Sequence, residues 1–228
     1  MSIPAEDVVV PEHVRLLARG ADLECVWRND YGGLTFRATG TAEPFYIKWG
    51  PRNLEFTLSD EAERMRWASG WITVPTVLDS GADDTHEWMI TAALDGLSAV
   101  DPRWIAEPAT AVRAVGEGLR AMHEALPVRE CPWEWSVPSR IANAERRGIV
   151  VPESLRTAPA VDRLVVSHGD ACCPNTLEPY EVPLNGSLRA LLGPLGRDLR
   201  TAGGTNGGRL APRSLLMQDY PVKREEYS

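Results

Sequence analysis

The chain of 228 residues contains only four cysteines and four histidines, and it has no long apolar run. The cysteines, at positions 25, 131, 172 and 173, form no C-x-x-C pair and no spacing typical of a zinc site. We therefore expect reduced thiols, as in a cytoplasmic protein. No apolar stretch approaches the roughly 20 residues that span a bilayer, and the N-terminus lacks the basic and apolar regions of a signal peptide.

Basic residues are also scarce. The chain has 24 Lys and Arg against 32 Asp and Glu, for a net charge of −8. This acidic balance argues against non-specific nucleic-acid binding and suits a cationic small molecule as partner. The balance changes along the chain, because the residues from Glu178 onward include seven basic and six acidic side chains. All eight tryptophans precede Ser136, so the composition changes close to Leu177.

The most informative stretch is residues 164–177, which read L-V-V-S-H-G-D-A-C-C-P-N-T-L. Its β-branched run predicts a buried strand, and the glycine, aspartate and proline that follow predict a tight loop. There the Asp170 carboxylate can accept a proton from a substrate hydroxyl, and Asn175 can bind a metal ion that bridges nucleotide phosphates. Protein kinases use the same Asp-to-Asn spacing in H-R-D-x-x-x-x-N. The structural alternative is that Asp170 caps a turn and His168 packs in the core.

The motif H-G-D-A-C-C-P-N resembles the H-G-D-x-x-x-x-N loop of the aminoglycoside phosphotransferase family, especially its 3'-phosphotransferase branch. The resemblance covers roughly residues 20–177. It implies an α+β fold of the bilobal protein-kinase type, with a β-rich N-lobe and a helical C-lobe. It also implies an ATP-dependent transferase of the antibiotic-resistance type, which moves the γ-phosphoryl group to a hydroxyl of a small cationic acceptor. Asp170 would be the catalytic residue, and Asn175 would bind Mg²⁺.

Two earlier features fit a nucleotide site of this kind. The segment R-N-D-Y-G-G lies between two predicted strands, and Gly32 and Gly33 in it would cover the phosphates. Lys48 lies in an apolar strand, F-Y-I-K-W, where an ammonium group needs an anionic partner. The resemblance implies that Lys48 binds the α- and β-phosphates and pairs with Glu61 of the next helix, with Glu63 as the alternative. A turn without a ligand and a solvated edge-strand lysine are the structural alternatives.

A hinge is expected where the predicted sheet ends. A helix predicted at residues 59–68 is followed by a strand at 74–79 and by another at 88–94. In a bilobal kinase the end of this last strand contacts the adenine edge through backbone groups. By position alone, we expect Ala92 and Leu94 to make these contacts.

A helical period of apolar residues begins near Ala109. Residues recur at intervals of three or four, which predicts an amphipathic helix whose core-facing stripe they form. The stripe consists of Val112, Val115, Leu119, Met122 and Leu126. A second helix is predicted at residues 139–147.

We expect residues 1–94 to form the N-lobe, residues 95–177 the C-lobe with its catalytic loop, and residues 178–228 an aberrant or poorly ordered segment. The family has a second Mg²⁺-binding aspartate about a dozen residues after the asparagine. No aspartate lies in that span here, and Asp198, the first one afterwards, is too far along the chain. We infer that residues from about 178 onward derive from a shifted reading frame or a degraded gene end, so that the C-lobe is truncated or aberrant.

The missing aspartate leaves other functions open. One is a catalytically inactive kinase-like protein that only binds a nucleotide or a partner, because charge neutralisation at the phosphates would be incomplete. Another is a kinase of the same fold that acts on a different small metabolite. A hydrolase built on His168 and Asp170 is disfavoured, because the sequence contains no G-x-S-x-G motif.

Overall fold

The computed structural model describes residues 8–52, 57–99, 101–160 and 163–169, together with the backbone of three short strands at 176–178, 190–191 and 196–200. Asp170, Asn175 and most of the predicted C-terminal segment lie outside these ranges. Within the described part of the chain, no helix is both long enough and apolar enough to cross a membrane.

The N-terminal part of the chain is built on a five-stranded antiparallel sheet with the order β1-β2-β3-β5-β4. The strands are β1 (Asp22–Arg28), β2 (Leu34–Thr39), β3 (Phe45–Pro51), β4 (Val77–Ala82) and β5 (His86–Ala92). The central strand β3 pairs with β2 on one side and with β5 on the other. Because successive side chains of a strand point to opposite faces, this sheet has two faces to cover.

Helix α1 (Glu12–Ala18) covers the first face. Its buried Val14 and Ala18 pack against Phe36, Ile47 and Ile90, which come from three adjacent strands. Each of these strand residues is large and apolar, so this side of the sheet is a hydrophobic core.

Helix α2 (Leu58–Ala68) covers the second face. The Thr57 hydroxyl caps the helix by accepting a hydrogen bond from the Asp60 N–H at 2.9 Å. The buried residues of α2 share one cluster with side chains from the sheet and from the later part of the chain. They are Ala62, Met65 and Ala68 of α2, with Val74, Met89, Met122, Leu126, Cys131 and Val166. The second face of the sheet therefore joins the sheet to the later helices.

The chain after β5 is mainly helical. It contains α3 (Pro102–Ala106), α4 (Pro108–Ala125), α5 (Val137–Arg146) and a 3-10 helix at Glu153–Leu155. Strand β7 (Arg163–Ser167) pairs with β10 (Gly196–Arg200), and β6 (Leu97–Ser98), β8 (Thr176–Glu178) and β9 (Ala190–Leu191) form a small sheet. The predicted α+β class, with a β-rich N-terminal part followed by helices, is confirmed.

The buried side of α4 agrees with the predicted stripe in part. Val112 is 71% exposed, whereas the buried positions are mostly small. They are Ala111, Ala114, Gly118 and Met122. Met122 and Leu126 of the predicted stripe are buried, and Leu119 packs against the same cluster. The prediction fails at Val112, because the small residues beside it are the ones that face the core there.

Two strands are displaced from their predicted bounds. The strand predicted at 74–79 is β4, which begins at Val77, because Pro75 cannot donate a ladder hydrogen bond. Val74 is instead buried in the cluster beneath α2. The strand predicted at 88–94 is β5, which begins at His86 and ends at Ala92.

The packing of α4 can be tested with two substitutions. We expect Ala114→Leu to lower the free energy of unfolding by about 1–3 kcal/mol, because Ala114 is 3% exposed and has no room for added carbons. Val112→Ala, two residues earlier on the exposed side of the helix, should change it by no more than about 0.5 kcal/mol. Urea unfolding measures both changes in free energy, provided that the dependence of that free energy on urea concentration is the same for each variant. Equal effects would contradict the described orientation of the helix.

Candidate functional site

Lys48 and Glu61 form the central ion pair of the site. Lys48 lies in β3 and Glu61 in the first turn of α2. The distance from Lys48 Nζ to Glu61 Oε1 is 2.6 Å. The Glu61 side chain is 13% exposed and that of Lys48 is 34% exposed, so the ammonium group keeps accessible surface while its partner is nearly covered. Glu63, the alternative partner, is exposed on the same helix.

This contact is a charge-assisted hydrogen bond. A hydrogen bond to a charged group contributes about 1.5–3 kcal/mol in a protected setting. The contribution is smaller here, because water screens a lysine that is one-third exposed. Its chief effect is geometric: it links β3 to α2 and directs the lysine side chain.

A single carboxamide organises the turn between β1 and β2. Asn29 Oδ1 accepts hydrogen bonds from the N–H groups of Tyr31 at 3.0 Å and Gly33 at 2.7 Å. The Asn29 N–H donates to the Gly33 carbonyl at 2.9 Å. Gly32 has a φ of +83°, a conformation that glycine adopts without strain. Sequence reasoning placed Asn29 in this turn but did not predict that its carboxamide accepts these hydrogen bonds, although asparagine at the start of a turn often plays this part.

The glycine turn bends over the face of the sheet that carries Lys48. Gly50 lies two residues after Lys48 in β3, and its missing side chain would point to the same face. A Cβ atom at Gly50 would lie 2.8 Å from the Gly33 Cα. The two backbones can approach this closely because Gly50 has no side chain.

The predicted hinge begins at the end of β5. The Ala92 N–H donates to the Thr76 carbonyl at 2.9 Å, and the Ala93 N–H donates to the Pro44 carbonyl at 3.1 Å. Both amides are therefore satisfied within the chain. A backbone hydrogen bond from Ala92 to a ligand is therefore restricted to its carbonyl oxygen. Leu94 follows Ala92 and Ala93 in the chain and takes part in neither of these two bonds.

Strand β7 leads to the predicted catalytic loop. Ser167 is 1% exposed and His168 is 0% exposed, so the strand ends inside the protein. Gly169 follows with a φ of +79°, which explains why glycine is favoured at this position of the motif. The next residue, Asp170, and the predicted metal ligand Asn175 lie outside the described residues.

One core connects this strand to the ion pair. Val166 of β7 and Met89 of β5 belong to the same buried cluster. Met89 is the register partner of Lys48 in the sheet. The strand that precedes Asp170 and the strand that carries Lys48 are thus attached to a common hydrophobic core. Among the described residues, no three His, Cys, Asp or Glu side chains are grouped to hold a metal ion.

Sequence reasoning missed one buried acid near this site. Glu87 of β5 is 5% exposed. Burial raises the pKa of its carboxyl, and hydrogen bonds from the backbone N–H groups of Leu58 and Ser59 act in the opposite direction. The available signal was a glutamate at an inward position of the alternating strand H-E-W-M-I-T-A.

Comparison with proteins of known function finds relatives of one kind. The chain is 35% identical over 176 residues to an aminoglycoside 3'-phosphotransferase of Streptomyces fradiae, and the match covers 65% of each chain. It is 32% identical over 213 residues to the streptomycin 3''-kinase of Streptomyces griseus, and that match covers 81% of this chain and 75% of the enzyme. This chain belongs to the aminoglycoside phosphotransferase family. It spans 65% of the length of the Streptomyces fradiae relative.

Solved aminoglycoside phosphotransferase structures share the fold. A crystal structure of an aminoglycoside-3'-phosphotransferase of type VIII matches with a TM-score of 0.61 and 27% identity, over 81% of this chain and 76% of that one. APH(3'')-Id from Streptomyces rimosus, in complex with ADP and streptomycin, matches with a TM-score of 0.54 and 25% identity. This match covers 80% of this chain and 75% of that one. No protein-family model matches the chain. The predicted family is confirmed.

The close approach of the glycine turn to β3 can be tested by adding one methyl group. We expect Gly50→Ala to lower the free energy of unfolding by about 1–3 kcal/mol, because the Gly33 backbone must move away. Gly116→Ala is the control. A Cβ atom at Gly116 meets no atom within 4 Å, so this substitution should raise the free energy of unfolding by about 0.5–1 kcal/mol. Chemical unfolding compares them, and a neutral Gly50→Ala would contradict the described approach.

Proposed function

We propose that this chain binds ATP on the α2 side of its sheet and transfers the γ-phosphoryl group to a hydroxyl of an aminoglycoside-like molecule. The observation that carries the proposal is the Lys48–Glu61 ion pair, with its 2.6 Å contact, beside the glycine turn on the same sheet face. The activities of the two Streptomyces relatives support the reaction class and the acceptor class.

Lys48 is suited to hold the α- and β-phosphates. An ammonium group has three N–H donors, and one of them is directed to Glu61. The remaining donors are available to anionic oxygens, and the side chain keeps accessible surface. Because Glu61 holds the ammonium group from the helix side, the lysine needs little reorganisation when a nucleotide binds.

The glycine turn is suited to cover the phosphates rather than to donate hydrogen bonds to them. The amides of Tyr31 and Gly33 donate to Asn29 Oδ1, and the Gly32 amide donates to the Asn29 carbonyl at 3.3 Å. These donors are already used within the turn. The turn therefore contributes a rigid cover without side chains at Gly32 and Gly33.

The hinge supplies backbone groups for the adenine ring. Because the Ala92 N–H is already bonded to Thr76, we assign the Ala92 carbonyl as acceptor for the adenine amino group. The Leu94 N–H is the corresponding donor to a ring nitrogen. The ADP bound to the Streptomyces rimosus enzyme supports a nucleotide as the ligand of this family site.

The chemical step depends on the sequence motif after β7. Asp170 would orient the acceptor hydroxyl and accept its proton as the new P–O bond forms and ADP leaves. Asn175 would hold Mg²⁺, which when bound neutralises charge on the phosphates. The burial of His168 and the positive φ of Gly169 support a tight loop at this point.

The missing second aspartate supports an alternative in which a nucleotide binds but transfer is weak or absent. Residues 176–190 contain no aspartate, and Asp198 pairs with Val165 in the β7–β10 ladder. We propose that residues from about 178 onward depart from the family pattern and that catalysis is impaired as a result. An acceptor other than an aminoglycoside is the remaining alternative.

Calorimetry with Mg·ATP tests the nucleotide site. We expect Lys48→Ala to weaken binding by about 10- to 100-fold, which corresponds to the loss of a charged hydrogen-bond donor. Glu61→Gln should weaken it less, because the lysine is retained but is no longer held by a charge. The matched control Glu63→Gln, on the exposed side of the same helix, should leave the affinity unchanged. Absence of binding to folded wild-type protein would refute the proposed site.

Phosphoryl transfer to a panel of aminoglycosides tests the reaction. We expect product with the wild-type chain and none with Asp170→Ala, which should still bind Mg·ATP because the role proposed for Asp170 concerns the acceptor hydroxyl. Binding without transfer in the wild type would favour the inactive nucleotide-binding alternative. Transfer only to hydroxyl compounds outside the panel would favour a metabolite kinase.

A further inference from the structure

The buried carboxyl group of Glu87 takes no part in the proposed phosphoryl transfer, yet it lies on the same sheet face as the ion pair. Glu87 is 5% exposed. It lies two residues before Met89, the register partner of Lys48, so Glu87 and Lys48 face α2 from neighbouring strands. A glutamate is rarely buried to this extent unless its charge is compensated.

The compensation comes from the start of α2. The Glu87 carboxylate accepts hydrogen bonds from the N–H groups of Leu58 and Ser59, the first two residues of the helix. Such amides have no partner inside a helix. The Thr57 hydroxyl accepts from the third amide, that of Asp60, at 2.9 Å. Glu87 and Thr57 thus satisfy the first three helical amides, and the helix dipole favours a negative charge at this end.

We propose that Glu87 is a positioning residue, which holds the first turn of α2 against the sheet so that Glu61 stays within reach of Lys48. Glu61 is three residues after Leu58, less than one helical turn from the amides that Glu87 holds. A displacement of that turn by about 1 Å would take the 2.6 Å contact out of the range of a charge-assisted hydrogen bond. The inference rests on the proposed function, in which Lys48 binds the nucleotide phosphates.

The environment of Glu87 disfavours the charged form of its carboxyl. Burial raises the pKa of its carboxyl above the ordinary value of 4.5, although the two helical amides and Arg52 lower it. Asp60 raises it further. The raised pKa therefore stabilises the folded protein fully at pH values below the unfolded-state pKa. This stabilisation is lost as the pH rises through the higher folded-state pKa.

The pH dependence of stability gives one test. Glutamine has the shape of glutamate without a charge to desolvate. We expect the free energy of unfolding of Glu87→Gln, relative to wild type, to rise as the pH increases from the ordinary glutamate pKa upward. Urea unfolding across this pH range measures the difference. The exposed strand residue Glu24 is the control, and Glu24→Gln should show no such trend. A pH-independent difference for Glu87→Gln would contradict the raised pKa of the Glu87 carboxyl.

A direct test follows the lysine itself. The sequence has only two lysines, Lys48 and Lys223, so ¹³C-lysine labelling gives two side-chain signals, and Lys48→Met identifies one. We expect Glu87→Gln to move the Lys48 Cε signal toward its position in Glu61→Gln, and Glu24→Gln to leave it in place. A merely structural role for Glu87 would not move this signal.

Mg·ATP calorimetry on the same variants completes the test. We expect Glu87→Gln to weaken binding by about 3- to 10-fold through the lysine, and Glu87→Asp, which keeps the charge on a shorter stem, to weaken it less. If Glu87→Gln does not fold, Glu87→Asp should still displace the Lys48 signal. An unchanged Lys48 signal would overturn the proposal whatever the affinity. A displaced signal in a protein that does not bind Mg·ATP would support the positioning role and count against the proposed function.

Discussion

An ammonium group on a largely covered sheet face needs an opposite charge close by, and much of this structure follows from that need. Lys48 meets it with Glu61, which is carried by a helix rather than by the sheet. The helix must therefore lie across the second face of the sheet, with its first turn near the centre of β3. Its apolar residues then extend the same face into the core shared with β7.

The two faces of the sheet therefore differ in the kinds of side chain that they carry. The α1 face is a closed apolar layer around Phe36, Ile47 and Ile90. The α2 face combines apolar packing with the ion pair, a buried glutamate and the glycine turn. Polar groups of this kind are tolerated because each carboxylate has partners: Glu61 has Lys48, and Glu87 has two backbone amides.

Sequence patterns predicted the elements of the sheet well, since alternation and turn residues act locally. β2 and β3 begin at the predicted residues, and α2 begins one residue before its predicted start. The predicted α4 stripe fails at Val112, because a list of apolar residues does not tell which side of a helix its neighbours approach. The roles of Asp170, Asn175 and residues 178–228 remain predictions from the motif and from the family.

The sequence by itself determined the family and the α+β class, because these depend on motif order and residue type. The residues that would do the chemistry are a prediction from the same motifs. Only the tertiary structure decided that Glu61 rather than Glu63 meets Lys48, since the packed face of α2 selects one of two nearby acids. It also decided that Gly33 approaches Gly50 and that Glu87 is buried at the start of α2. Such contacts join residues distant in the chain, and their distances follow from how the helix and turn pack on the sheet.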